Sequence, residues 1–115
     1  MSYDLRVLVK VDGTDLFAEI DRPEYDSPTY NLGKMFRECT GWDFEQSKEY
    51  RCSEVIDNIV RGINELAIHP DKYQKYESPN GWGTLSGAKE ALESLRDCIY
   101  ENAENIPIEH LWVRW

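Results

Sequence analysis

Tyr3, Leu5, Val7, Val9 and Val11 alternate with Asp4, Arg6, Leu8 and Lys10, a period of two that predicts a half-buried strand. Asp12-Gly13-Thr14-Asp15 supplies turn residues and Leu16 to Ile20 returns, so the first twenty residues read as a hairpin. Asp21 to Thr29, interrupted by Pro23 and Pro28, reads as an ordered loop rich in acids. A short helix is expected from about Tyr30 to Cys39, stopped by Gly41. Trp42 to Arg51 shows no period and is expected to be a loop that packs its aromatics on the body of the protein. Ser53 is placed to cap a helix whose apolar positions Val55, Ile56, Ile59, Val60, Ile63, Leu66 and Ala67 recur at helical spacing until His69-Pro70. Asp71 to Tyr76 allows one or two helical turns, with Tyr73 and Tyr76 on one side. After the loop Ser78 to Gly87, Thr84 or Ser86 caps a last helix carrying the stripe Leu85, Ala88, Leu92, Leu95 and Ile99, helped by Ala91 and Cys98 and closed by Pro107. Leu111, Val113 and Trp115 then alternate with His110, Trp112 and Arg114 in a terminal strand.

Strands at both ends with helices between predict a two-layer α+β domain spanning residues 1–115. The expected sheet is antiparallel, of about three strands in order 2-1-3, with a ββααβ-like sequence and helices on one face. If Val7, Val9 and Val113 face the helices, period two places Arg6, Leu8, Lys10, Phe17, His110, Trp112 and Arg114 together on the other face. That basic, aromatic face is superficially like sheets that stack bases. It lacks a ribonucleoprotein motif, and cover by the 42–51 loop or by a second copy in a homodimer is more economical.

Composition narrows the classes. Apolar residues make up 41% of the chain, with 4 Trp and 7 Tyr, enough to build one core without staples. A formal charge of −9 disfavours direct binding to a nucleic-acid backbone and leaves a basic partner or a local basic pocket open. Cys39, Cys52 and Cys98 have no close pairing, which points to reduced thiols in a cytoplasmic setting. No long apolar run and no leader pattern is present, so neither a membrane span nor standard export is expected. His69 and His110 sit at no ligand spacing and no nucleophile stands with a base, so no metal, cofactor or enzymatic activity is expected.

Two stretches carry candidate binding chemistry. Asn80, Gly81 and Gly83 shape a loop around Trp82, which serves either as a ligand wall or as a core plug. Tyr30 and Asn31, with Lys34 and Arg37 a turn further on, offer an amide and two cations for an anion, or a plain solvated face. Glu90, Glu93, Asp97, Glu101 and Glu104 stack like charges along the last helix, as a solubilising ridge or as a mimic of a phosphate row.

With TYN in YDSPTYNLGKMF, Trp42 after Gly41, GINEL from Gly62 and SPNGWG from Ser78, the chain resembles a family of small uncharacterised phage and prophage proteins. Members open with a similar YDL-type strand and share the TYN and NGWG elements, so the resemblance covers most of the chain. It implies no enzymatic activity, and it marks Thr29, Tyr30, Asn31, Asn80, Gly81, Trp82 and Gly83. By analogy, phage accessory proteins often oppose host defence by trapping a nucleotide signal or blocking a defence protein. The expectation is a non-enzymatic accessory protein of the bacterial host cytoplasm that binds a small nucleotide-like ligand. Trp82 would stack on it, Asn31 and Asn80 would bond its edge, and Lys34 or Arg37 would meet its anionic part. The alternative is an acidic interaction module that inhibits a host protein, through Glu93, Asp97 and Glu101 on the helix ridge or through Leu8, Phe17 and Trp112 on the open sheet face.

Overall fold

The computed structural model describes residues 1–115. Strands β1 (Arg6–Lys10) and β2 (Phe17–Asp21) form the expected hairpin, followed by helix α1 (Gly33–Thr40), strand β3 (Glu49–Arg51) and helix α2 (Cys52–Ile68). Helices α3 (Pro70–Tyr73) and α4 (Leu85–Ala103) and strand β4 (Leu111–Arg114) complete the chain, with 3-10 turns at Tyr30–Leu32, Gln74–Tyr76 and Ile108–His110. The architecture is α+β, with helices on one face of an antiparallel sheet, and no helix is long and apolar enough to cross a membrane.

The sheet has four strands in order β2-β1-β4-β3, which corrects the expected three. The last strand does lie beside the first, as the sequence predicts. The additional strand comes from the end of the segment expected to be a loop. Its three residues are too few to display a period, but Tyr50 pairs with Val113 and turns into the core while Glu49 and Arg51 face out. The chain then passes straight into α2, so Arg51, not Ser53, stands at the cap position, and it makes no side-chain cap bond.

The core lies between the sheet and α1, α2 and α4. Val7, Leu111 and Val113 are buried on the sheet side; Val55, Ile59, Leu66, Leu92, Leu95 and Ile99 are buried on the helices at the spacings that predicted them. Tyr3 and Leu5 are also buried, but their N–H groups donate to the carbonyls of Pro28 (2.7 Å) and Asp26 (2.8 Å) instead of to a strand, so β1 begins later than the alternation suggests. Trp42 and Phe44 turn to the helix side, where Phe44 stacks on Trp115 at 4.1 Å, so their loop does not cover the outer face of the sheet.

That outer face is aromatic and basic as expected, but largely neutralised. Phe17 meets Trp112 edge-on at 5.0 Å, and Arg51 and Lys10 lie over the Trp112 ring at 4.8 and 5.6 Å. Arg6 is gripped by Asp4, Glu19 and Asp26, and Arg114 donates to Glu49 at 2.8 Å. Leu8 is fully buried between Glu19 and Trp112 of the flanking strands, so it is not a surface contact residue.

Candidate functional site

The TYN and NGWG segments meet. Thr29 accepts from the Asn31 N–H through its hydroxyl and so starts the 3-10 turn that aims Asn31 at the later loop. The Asn31 Nδ2 donates to the Trp82 carbonyl at 3.1 Å. From the other side Asn80 accepts through Oδ1 from the Trp82 N–H (3.0 Å) and the Ser78 hydroxyl (2.6 Å), an Asx turn that sets the loop before α4. Gly83 is at φ 104°, and a Cβ there would stand 3.2 Å from the Asn31 Cβ and 3.3 Å from the Thr29 Cγ2, so only glycine lets the segments close on one another. The Thr84 hydroxyl accepts from the Gly87 N–H at 3.0 Å and caps α4.

Trp82 is 68% exposed, so it is not the core plug that its glycine setting allowed. It borders a hollow of about 440 Å³ with Tyr25, Thr29, Leu32, Gly81 and Thr84. The remaining expected residues do not line it. Tyr30 turns inward and meets Tyr3 edge-on at 4.8 Å, and Lys34 lies over the Tyr76 ring at 5.4 Å. Arg37 is exposed in the last turn of α1, and neither it nor Lys34 borders the hollow. Both carboxamides are engaged in holding the loop.

A second, larger depression of about 740 Å³ runs beside it, lined by Asp21, Arg22, Glu24, Tyr25, Glu90, Glu93, Asp97 and Glu101. Its far wall is the acidic ridge of α4; its near wall is the loop after β2. The walls are tied by the Asn102 Nδ2, which donates to Asp21 Oδ2 at 2.9 Å, and by the Tyr25 N–H, which donates to the Ser94 hydroxyl at 3.2 Å. Glu93 pairs with Lys89 and Asp97 with Arg96, while Glu24, Glu90 and Glu101 make no ion pair. Tyr25 borders both depressions, so the Trp82 hollow and the acidic trough are neighbours. Pairing of the 21–25 loop with α4 has no signal in the sequence beyond the loop's own acids.

Hydrogen bonds favour the charged form of Asp21, at the edge of the trough. The Asn102 side chain, and after it the Arg22 N–H, hold the Asp21 carboxyl below its ordinary value. Burial, and then the Asp21 charge, push the neighbouring Cys98 thiol up to about 12, so it stays protonated. A carboxyl held down in the folded state stabilises at pH values above its unfolded pKa, and that stabilisation is lost as pH falls through the lower folded value. Asn102→Ala is therefore expected to return the Asp21 pKa upward toward its ordinary value, read by NMR titration of the side-chain carboxyl. An unchanged titration would show that the amide does not hold the carboxylate.

A third depression of about 410 Å³ lies at the hairpin tip between Lys10, Asp15, Arg51, His110 and Trp112, where both signs of charge mix. No family model matches the chain, and comparisons with curated proteins and with solved structures find no match either.

Proposed function

We propose that this protein is a non-enzymatic interaction module that docks a basic segment of a partner protein along the α4 trough and seats an aromatic or aliphatic side chain in the Trp82 hollow. The observation that carries this reading is the adjacency of the two depressions, which share Tyr25 as a lining residue, one rich in carboxylates and the other bordered by the exposed Trp82 and by Leu32. An exposed indole next to unpaired carboxylates suits a partner that combines cations with a large side chain. The resemblance to small phage proteins makes a host protein the expected partner and obstruction of that protein the mode of action.

The test is fluorescence anisotropy with a labelled Lys- and Arg-rich peptide carrying a central Leu or Trp. Binding is expected at low ionic strength and should weaken by about tenfold or more on raising salt from about 0.05 to 0.5 M, because exposed charges are screened. Joint replacement of Glu90, Glu93 and Asp97 by lysine should weaken it by at least about tenfold, since it places like charges opposite the peptide. An affinity indifferent to that reversal sinks the proposal.

A second reading is favoured by the Trp82 setting alone: a planar, nucleotide-like ligand stacking on the indole without help from Lys34 or Arg37. It calls for a rise in melting temperature with a nucleotide in a broad panel. Loss of that rise in Trp82→Ala, with the basic peptide still bound, would separate it from the first reading.

A further inference from the structure

Three of the four tryptophans are held by other rings: Trp42 by Phe44 and Tyr50, Trp112 by Phe17, and Trp115 by Phe44 and Phe36. Trp82 meets neither another ring nor a cation, and its exposed indole stands beside the hollow that it borders. An aromatic face that the chain itself does not use is open to a ligand.

The hollow differs in chemistry from the other two depressions. None of the side chains that line it is charged, whereas carboxylates line the α4 trough and both signs line the depression at the hairpin tip. Its polar side chains are all hydroxyl-bearing: Ser2, Tyr25, Ser27, Thr29 and Thr84. Tyr25 bonds the chain through its N–H and its carbonyl, which leaves its hydroxyl without a partner. The Thr84 hydroxyl accepts from the Gly87 N–H at 3.0 Å and keeps its own proton to donate. Gly81, Gly83 and Gly87 complete the lining, so a ligand can approach the backbone closely. A Cβ at Gly87 would lie 3.6 Å from the Tyr25 hydroxyl and 3.2 Å from the Thr84 hydroxyl, so a longer side chain there would enter the hollow between them.

We propose that the Trp82 hollow is a binding site for a neutral sugar ring, a hexose or N-acetylhexosamine unit stacked on the indole and hydrogen-bonded by the surrounding hydroxyls. One face of such a ring carries C–H bonds of slight positive polarity, which suit the negative face of an indole. Its rim carries hydroxyls that each donate and accept, as the hydroxyls of the hollow do. The volume of about 440 Å³ lies within the range of small-ligand sites. Charge selects the class. No lysine or arginine lines the hollow to meet a phosphate, and the carboxylates of the adjoining trough, Glu24 and Glu90 among them, repel an anion. A neutral polyhydroxyl ligand meets neither obstacle. The inference uses the hollow and not the trough, so it does not depend on the basic partner.

The experiment is NMR titration of the isotope-labelled full chain with glucose, galactose, mannose and N-acetylglucosamine, and with adenosine monophosphate for comparison. Each is taken to about 50 mM, above the dissociation constant of about 1–10 mM expected of a ligand with so few atoms. Saturable shifts of the Trp82 indole N–H and of the Gly81, Gly83 and Gly87 amides are expected with at least one of these sugars. Trp82→Ala removes the stacking surface and Gly87→Leu fills the hollow, so each should weaken binding by about tenfold or more with unchanged circular dichroism. Leucine is a better helix former than glycine, so Gly87→Leu keeps α4. Trp82→Phe, with a smaller ring, should fall between alanine and the native residue. Because the ligand is neutral, its affinity should stay within about twofold between about 0.05 and 0.5 M salt, unlike that of a basic peptide or a nucleotide. No saturable shift with any of these sugars overturns the proposal. So do shifts undiminished in both Trp82→Ala and Gly87→Leu, or adenosine monophosphate binding more tightly than every sugar. Peptide binding without sugar binding defeats this inference alone, and sugar binding without peptide binding defeats the partner reading alone.

Discussion

Trp115→Ala is expected to lower the unfolding free energy by about 3–5 kcal/mol, the loss typical of deleting a fully buried aromatic. The indole is only 1% exposed and is enclosed by other rings: Phe44 stacked at 4.1 Å, Phe36 edge-on at 5.4 Å and Tyr3 at 6.0 Å. Its removal opens a cavity where the 42–51 segment, the terminal strand and α1 converge, and rings of that size cannot collapse into the space. A fall in melting temperature of about 10 °C or more should follow in a thermal scan. The Trp115 Nε1 is buried without a hydrogen-bond partner, so Trp115→Phe, which removes that donor while keeping a ring, should cost much less than Ala. Equal losses for Ala and Phe would show that ring packing is not what the residue contributes.

Gly62→Val is expected to cost about 3 kcal/mol for the opposite reason, overpacking. A Cβ at Gly62 would stand 2.7 Å from the Thr40 Cγ2, 3.0 Å from the Leu92 Cδ1 and 3.3 Å from the Cys39 Sγ, where α1, α2 and α4 come closest. Thr40 cannot rotate away without loss, because its hydroxyl donates to the Phe36 carbonyl and accepts from the Trp42 N–H at 3.1 Å. Alanine at the same position gains about 1 kcal/mol of helix propensity against the clash, so Gly62→Ala should fall well short of valine. Urea titration of the three proteins reads the order directly. A valine variant with an unshifted midpoint would mean that the helices can part at no expense.

Helices α2 and α4 and strands β1 and β4 were legible because each runs long enough to repeat its period with a consistent buried face. Strand β3 was not: it is three residues long, and its membership of the sheet depends on Tyr50 meeting Val113 far along the chain. The encounter of TYN with NGWG could be suspected from their shared aromatic and amide character, but the use made of the amides could not. Asn31 and Asn80 bond the chain itself, Tyr30 lies in a short 3-10 turn invisible to a period count and meets Tyr3, and Lys34 and Arg37 on α1 do not border the hollow. Half of the acidic trough was readable as the α4 ridge. The other half required the Asn102 to Asp21 bond, which joins residues 81 positions apart. The exposure of Leu16 and Ile20 likewise follows from β2 lying at the rim of the sheet, which pattern alone does not reveal.

Trp82 has its N–H and its carbonyl each fixed by a different asparagine, one two residues before it and one 51 residues before it. The peptide backbone beneath the indole is therefore ordered before anything arrives, and only two side-chain torsions remain to be settled on contact. Capture at this spot should proceed as a collision with a standing surface, at a speed set by diffusion and electrostatic steering. Cutting either amide tether would leave the ring in place chemically yet transfer the entropy of loop ordering to the moment of association.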